Sequence, residues 1–127
     1  MRYKREEAFR FQFREPLTGS LKIISINGKR EDFYSDSIEI MDVSPNGLKF
    51  NTPLNLSIND NKYFLEVTFI IEGRTIRVLG VPAWKKTEGS IFAYGFNGIK
   101  DEKTNQEIIQ ALKEYSKKVY NEQKNRR

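Results

Sequence analysis

Cysteine and histidine are both absent from this chain of 127 residues. Without cysteine there is no disulfide framework and no thiolate metal site, a usage that favours an intracellular home. Without histidine the usual acid–base side chain is missing, and so is the commonest nitrogen ligand for a metal. Carboxylates remain, but Asp32, Asp36, Glu39 and Asp42 do not follow the spacing of a metal-binding loop. No serine sits in a glycine-flanked nucleophile elbow, and no glycine-rich loop is arranged to cradle a phosphate. Neither catalysis nor a bound metal is therefore expected; a binding role is. The chain also lacks any apolar run approaching the ~18 residues of a membrane span. Its start, Met1-Arg2-Tyr3-Lys4-Arg5-Glu6-Glu7, has no apolar segment of the kind that directs export. The expected location is the cytoplasm, with no membrane insertion.

What is present suits one folded domain. Hydrophobic residues make up 38% and charged residues 31%, too apolar for a disordered chain of this length. The net charge of +5 is concentrated at the ends. Residues 1–14 carry +3 and residues 113–127 carry +4, so the 98 residues between them sum to −2. A basic arm meeting a compact anion fits that distribution better than a face that tracks a nucleic acid.

Between Phe9 and Gly98 the sequence reads as strands and tight turns. Ser20–Asn27 is an apolar, β-branched run closed by Asn27-Gly28, a strong hairpin signal. Lys62–Ile71 places Tyr63, Leu65, Val67, Phe69 and Ile71 on one face, and Glu72-Gly73 then reverses the chain into Thr75–Lys85. The alternation slips phase around Leu79-Gly80-Val81-Pro82, which predicts a bulge or an edge position. Ile91–Phe96 follows, with Phe92, Tyr94 and Phe96 on one face. Strands at this spacing with no intervening helix predict an antiparallel barrel or sandwich. One helix is expected from about Asn105 to Tyr120, opened by the capping box Thr104-x-x-Glu107 and striped by Ile108, Ile109, Leu112, Tyr115 and Val119. The expected organisation is a single domain, with an arm and first strand over 1–14, a barrel over 15–100, and a helix with a basic tail over 101–127.

The turn Asp42-Val43-Ser44-Pro45-Asn46-Gly47 joins two strand-like runs, Ser37–Met41 and Leu48–Phe50. Asp and Ser side chains fold back onto backbone N–H groups, proline fixes one φ, and Asn46-Gly47 accepts φ > 0. A carboxylate, a hydroxyl and bare glycine backbone on one rigid turn can also read the edge of a flat polar ligand. Guanine, with its N1–H and N2–H₂ donors, suits the carboxylate. Elsewhere, Arg10 and Arg5, with Lys4 beside it, offer guanidinium forks suited to phosphate. Trp84 reads as a core or rim residue, with base stacking as the alternative.

The order of these parts resembles a known family. Arg5-Glu6-Glu7-Ala8-Phe9-Arg10-Phe11 leads into the first strand, and Asp42-x-Ser44-x-x-Gly47-Leu48 follows. Then come a strand ending in Ala83-Trp84-Lys85, one reading Tyr94-Gly95-Phe96, and a helix. From about Lys4 to the helix, the chain is similar to a PilZ domain. The resemblance implies a six-stranded antiparallel β-barrel of split-barrel type with a C-terminal α-helix, in a bacterial protein that senses the second messenger cyclic di-GMP. It further implies that Arg5 and Arg10, with a weaker part for Lys4, hold the phosphates and a guanine face. Asp42, Ser44, Asn46 and Gly47 would bind the other side of a guanine. The family's arm reads Arg-x-x-x-Arg, and counting back from Arg10 its first Arg falls where this chain has Glu6. The alternative expectation is a barrel of the same fold that binds no nucleotide and acts through an unidentified protein partner. Binding of single-stranded nucleic acid is a third reading, which the acidic body of the chain opposes.

Overall fold

The computed structural model describes residues 10–125. Six strands run in the order β1 (Phe11–Ile26), β2 (Lys29–Ser44), β3 (Gly47–Thr52), β4 (Tyr63–Ile71), β5 (Arg74–Glu88) and β6 (Ile91–Gly98). They close into an antiparallel barrel with neighbours β1-β2-β3-β6-β5-β4, the last strand pairing back onto the first. Among the described residues one helix, α1 (Glu102–Asn125), follows the barrel. The expected mainly-β fold, a closed six-stranded barrel with a C-terminal helix, is the fold observed.

Turn chemistry sets two of the hairpins. Asn27-Gly28 joins β1 to β2, and Glu72-Gly73 joins β4 to β5; all four residues have positive φ. That double left-handed geometry twists in the same sense as the strands it connects. Period-two burial in β4 sends Leu65, Val67, Phe69 and Ile71 inward. They meet Ile76 and Val78 of β5, Leu48 and Phe50 of β3, and Tyr94 and Phe96 of β6 in one core. The phenol of Tyr94 closes one end. It donates to the Leu54 carbonyl at 2.6 Å and accepts from the Leu56 N–H at 2.7 Å, tying down the β3–β4 connection. Burial raises the Tyr94 pKa, against the lowering effect of the Leu56 hydrogen bond.

The helix begins earlier than Thr104. Asp101 is its cap, accepting from the Lys103 N–H at 3.2 Å and from the Thr104 hydroxyl at 2.9 Å. An aspartate three residues upstream competes better for the free N–H groups than the threonine does, and it turns that threonine into a donor. Ile108, Ala111 and Leu112 enter the core. Tyr115 packs edge-on against Phe11 and Phe13, with ring centroids 5.3 and 5.5 Å away. The helix thereby clamps the start of β1, the segment that presents Arg10. Among the described residues no helix is long and apolar enough to cross a membrane.

Candidate functional site on the outer barrel face

Two strands change phase partway along, and each change turns a polar or aromatic residue outward. In β2, Ile38 and Ile40 point into the core, so strict alternation would send Asp42 there as well. Ile40 pairs with Phe50 and Asp42 with Lys49, which leaves Met41 as an extra, unmatched residue. The bulge returns Val43 to the core opposite Leu48 and places Asp42 on the outer face beside Lys49. In β5, Pro82 pairs with Phe96 and Trp84 with Gly95, with Ala83 as the extra residue. The phase slip thus lies just beyond the expected Leu79–Pro82 stretch, and it puts Trp84 outside.

The two bulges bring the outward residues into one cross-strand rank. Asp42 of β2 faces Lys49 of β3, Lys49 faces Gly95 of β6, and Gly95 faces Trp84 of β5. Arg10, just before β1, folds over this rank and forms an ion pair from Nη1 to Asp42 Oδ1. The carboxylate is almost fully buried, and a charge so placed needs such a partner. Trp84 is a rim residue, 46% exposed. A Cβ at position 95 would overlap three consecutive atoms of its five-membered ring, Cδ1, Nε1 and Cε2. The indole therefore lies face-down on Gly95 with its other face to solvent. Arg10, Asp42, Leu48, Lys49, Trp84, Gly95, Phe96 and Asn97 line a cleft of about 250 Å³.

Size does not select this cleft. Hollows of about 370, 400 and 480 Å³ lie elsewhere on the surface. The smaller one combines a buried carboxylate, two cations and a flat exposed aromatic, the set that reads a nucleotide's base and phosphate. Among the described residues no group of His, Cys, Asp or Glu is arranged to hold a metal ion.

The residues expected from sequence divide into three groups. Arg10, Asp42 and Trp84 are brought together. Ser44, Asn46 and Gly47 belong to the adjoining β2–β3 turn and do not line the cleft. Ser44 and Gly47 share the next outward rank with Asn97, and the Ser44 hydroxyl donates to the Gly47 carbonyl at 3.3 Å. Asn46 accepts from the Gly98 N–H at 2.9 Å through its backbone carbonyl. Neither Asn46 nor Gly47 has positive φ, contrary to expectation. Gly47 is required instead by close approach, because a Cβ there would overlap the Phe96 carbonyl oxygen. Lys4 and Arg5 lie outside the described residues, as does Glu6.

Lys49 and Asn97 are site residues that the motif reading passed over. The signal for Lys49 was present: Leu48-Lys49-Phe50 alternates apolar, charged, apolar directly after the turn, which places the lysine outside. In comparisons with known proteins, no family model matches this chain and no curated protein matches its sequence.

Proposed function

We propose that this protein is a cyclic di-GMP receptor of PilZ type, with the outer-face cleft as its nucleotide site. The observation that carries this reading is the rank Asp42–Lys49–Gly95–Trp84, crossed at one end by Arg10. A cyclic dinucleotide presents two flat bases joined by phosphodiesters. The Trp84 ring, seated over β6, is two strands from Asp42 on β2, a span of about 10 Å at the usual strand spacing. One guanine donates its N1–H and N2–H₂ to Asp42, and the second stacks on the free face of the indole. Stacking of this kind is worth about 1–3 kcal/mol per base, and hydrogen bonds to a charged acceptor contribute about 1.5–3 kcal/mol. Arg10, released from Asp42 by the incoming base, turns to a phosphate.

Trp84 is the single tryptophan of the chain, so its emission reports directly on the site. Titration with cyclic di-GMP should give saturable quenching matched by calorimetric heat, with Asp42→Asn weakening it at least tenfold. Cyclic di-AMP, whose adenine lacks the N1–H donor, should bind far more weakly. Absence of any response to cyclic di-GMP up to about 1 mM, a bound of only ~4 kcal/mol, would overturn this reading.

One observation favours the second reading, an adaptor blind to nucleotides: Asp42 is already satisfied by Arg10. With Glu6 standing where the family's first arginine falls, the adaptor reading predicts no binding by the parent chain and the appearance of binding in Glu6→Arg.

A further inference from the structure

We infer that Lys49 holds one of the ligand's two phosphates, the other falling to Arg10, and so supplies from the barrel wall a cation that the arm lacks at Glu6. The inference rests on the nucleotide reading above and assigns a role to a residue outside both motifs. Lys49 occupies the middle of the rank, one strand from Asp42 and one from Gly95, on the floor between the base-edge acceptor and the stacking platform. Leu48 and Phe50 are buried on either side of it, so alternation fixes its side chain on the outer face. On the β6 side its cross-strand neighbour is Gly95, whose missing Cβ lets the Trp84 indole lie flat on the sheet next to the Lys49 position.

Electrostatics favour the same role. Asp42 stands directly opposite Lys49 in the ladder, yet it pairs with Arg10. Among the described residues no carboxylate lies within ion-pair distance of Lys49. Arg10 and Asp42 cancel, and Lys49 leaves the cleft with one positive charge. A phosphodiester carries one negative charge. Once a guanine edge has taken the Asp42 carboxylate, the lysine also stands between that carboxylate and the phosphate, screening two anions that would otherwise repel. An ammonium on a flexible stem tolerates several phosphate positions, where a guanidinium fork would demand one.

The test compares Lys49→Met and Lys49→Arg with the parent chain, titrating each with cyclic di-GMP, GMP and guanosine. Thermal melts confirm that both variants fold, as expected for an outward strand position. Lys49→Met should weaken cyclic di-GMP and GMP by about tenfold and leave guanosine, which has no phosphate, unchanged. Lys49→Arg should retain most of the affinity. Equal binding of cyclic di-GMP by Lys49→Met and the parent overturns the inference while leaving the nucleotide reading intact. An equal loss for guanosine also overturns it, since the lysine would then shape the cleft and not bind phosphate. A parent chain that binds none of the three ligands removes the nucleotide reading itself, and this inference with it.

Discussion

Arg10 donates to Asp42 across 32 positions of sequence, holding the first cation of the described residues on a buried carboxylate of β2. A guanidinium and the edge of guanine offer a carboxylate the same group: two N–H donors on one carbon, side by side. Arg10 therefore occupies the acceptor that the base would use. Arg10→Ala should tighten guanosine binding by about fivefold, matching ~1 kcal/mol for a partly exposed ion pair. The same variant should weaken cyclic di-GMP, because the phosphate contact is lost. Calorimetry with the two ligands side by side separates these opposite signs.

Gly95→Ala and Gly47→Ala should fail in different ways. At position 95 the added methyl meets a side chain, the Trp84 indole, which can swing away. Stability should fall by less than about 1 kcal/mol, while acrylamide quenching of Trp84 rises and nucleotide affinity drops about tenfold as the platform is lost. At position 47 the methyl meets the backbone carbonyl of Phe96, so β3 and β6 must part. A cost of about 2 kcal/mol or more is expected from that overpacking. Urea denaturation of both variants checks the order.

Tyr94→Phe removes a hydroxyl that serves two backbone groups at once. The Leu56 N–H is left buried without its acceptor, and the expected loss is about 1–3 kcal/mol. Chemical denaturation should show a lower midpoint with an unchanged slope, since the core volume is almost the same.

The helix contributes a pH-dependent term at the barrel's side. The Gln110 amide, at 3.1 Å, and Arg74 both hydrogen-bond the Glu114 carboxylate and lower its pKa from 4.5. A carboxyl whose folded-state pKa lies below its unfolded one stabilises the fold above the unfolded value, and that contribution is lost as pH falls through the folded value. The contribution of Glu114 should be complete above about 4.5 and disappear below it. Glu114→Gln should flatten stability against pH in that acid range. The effect should be small, because the pair is well exposed.

Much of this architecture was legible in the residues. Asn27-Gly28 and Glu72-Gly73 announce their hairpins, and the strict alternation of β4 announces a half-buried strand. The bulges were harder to read. Ile38-x-Ile40-x-Asp42 looks like one unbroken face, and only the apolar Val43 immediately afterwards hints that the phase has changed. In β5 the slip was visible but fell a residue or two early, because Val81 and Pro82 tolerate either face. Gly47 was noticed for its conformational freedom, when its role depends on a neighbour, Phe96, that only the closed barrel supplies. The helix start was misplaced for a similar reason: Asp101 and Thr104 can both cap, and the aspartate wins as the stronger acceptor, taking the Thr104 hydroxyl as a donor. Lys49 went unread because charged residues on outward strand positions are common, and its meaning comes from partners on β2 and β6.

Met41 and Ala83 are surplus to the ladder: between the pairs on either side, each strand carries one residue more than its partner. Deleting either would close its bulge into plain alternation, with Asp42 still opposite Lys49 or Trp84 still opposite Gly95 on the outer face. The row that forms the cleft therefore tolerates the loss of one codon at these two positions. The same loss at a matched position would push the neighbouring side chains onto the wrong face of the sheet. The barrel thus holds its slack beside the cleft, where a change in chain length does least harm to the core.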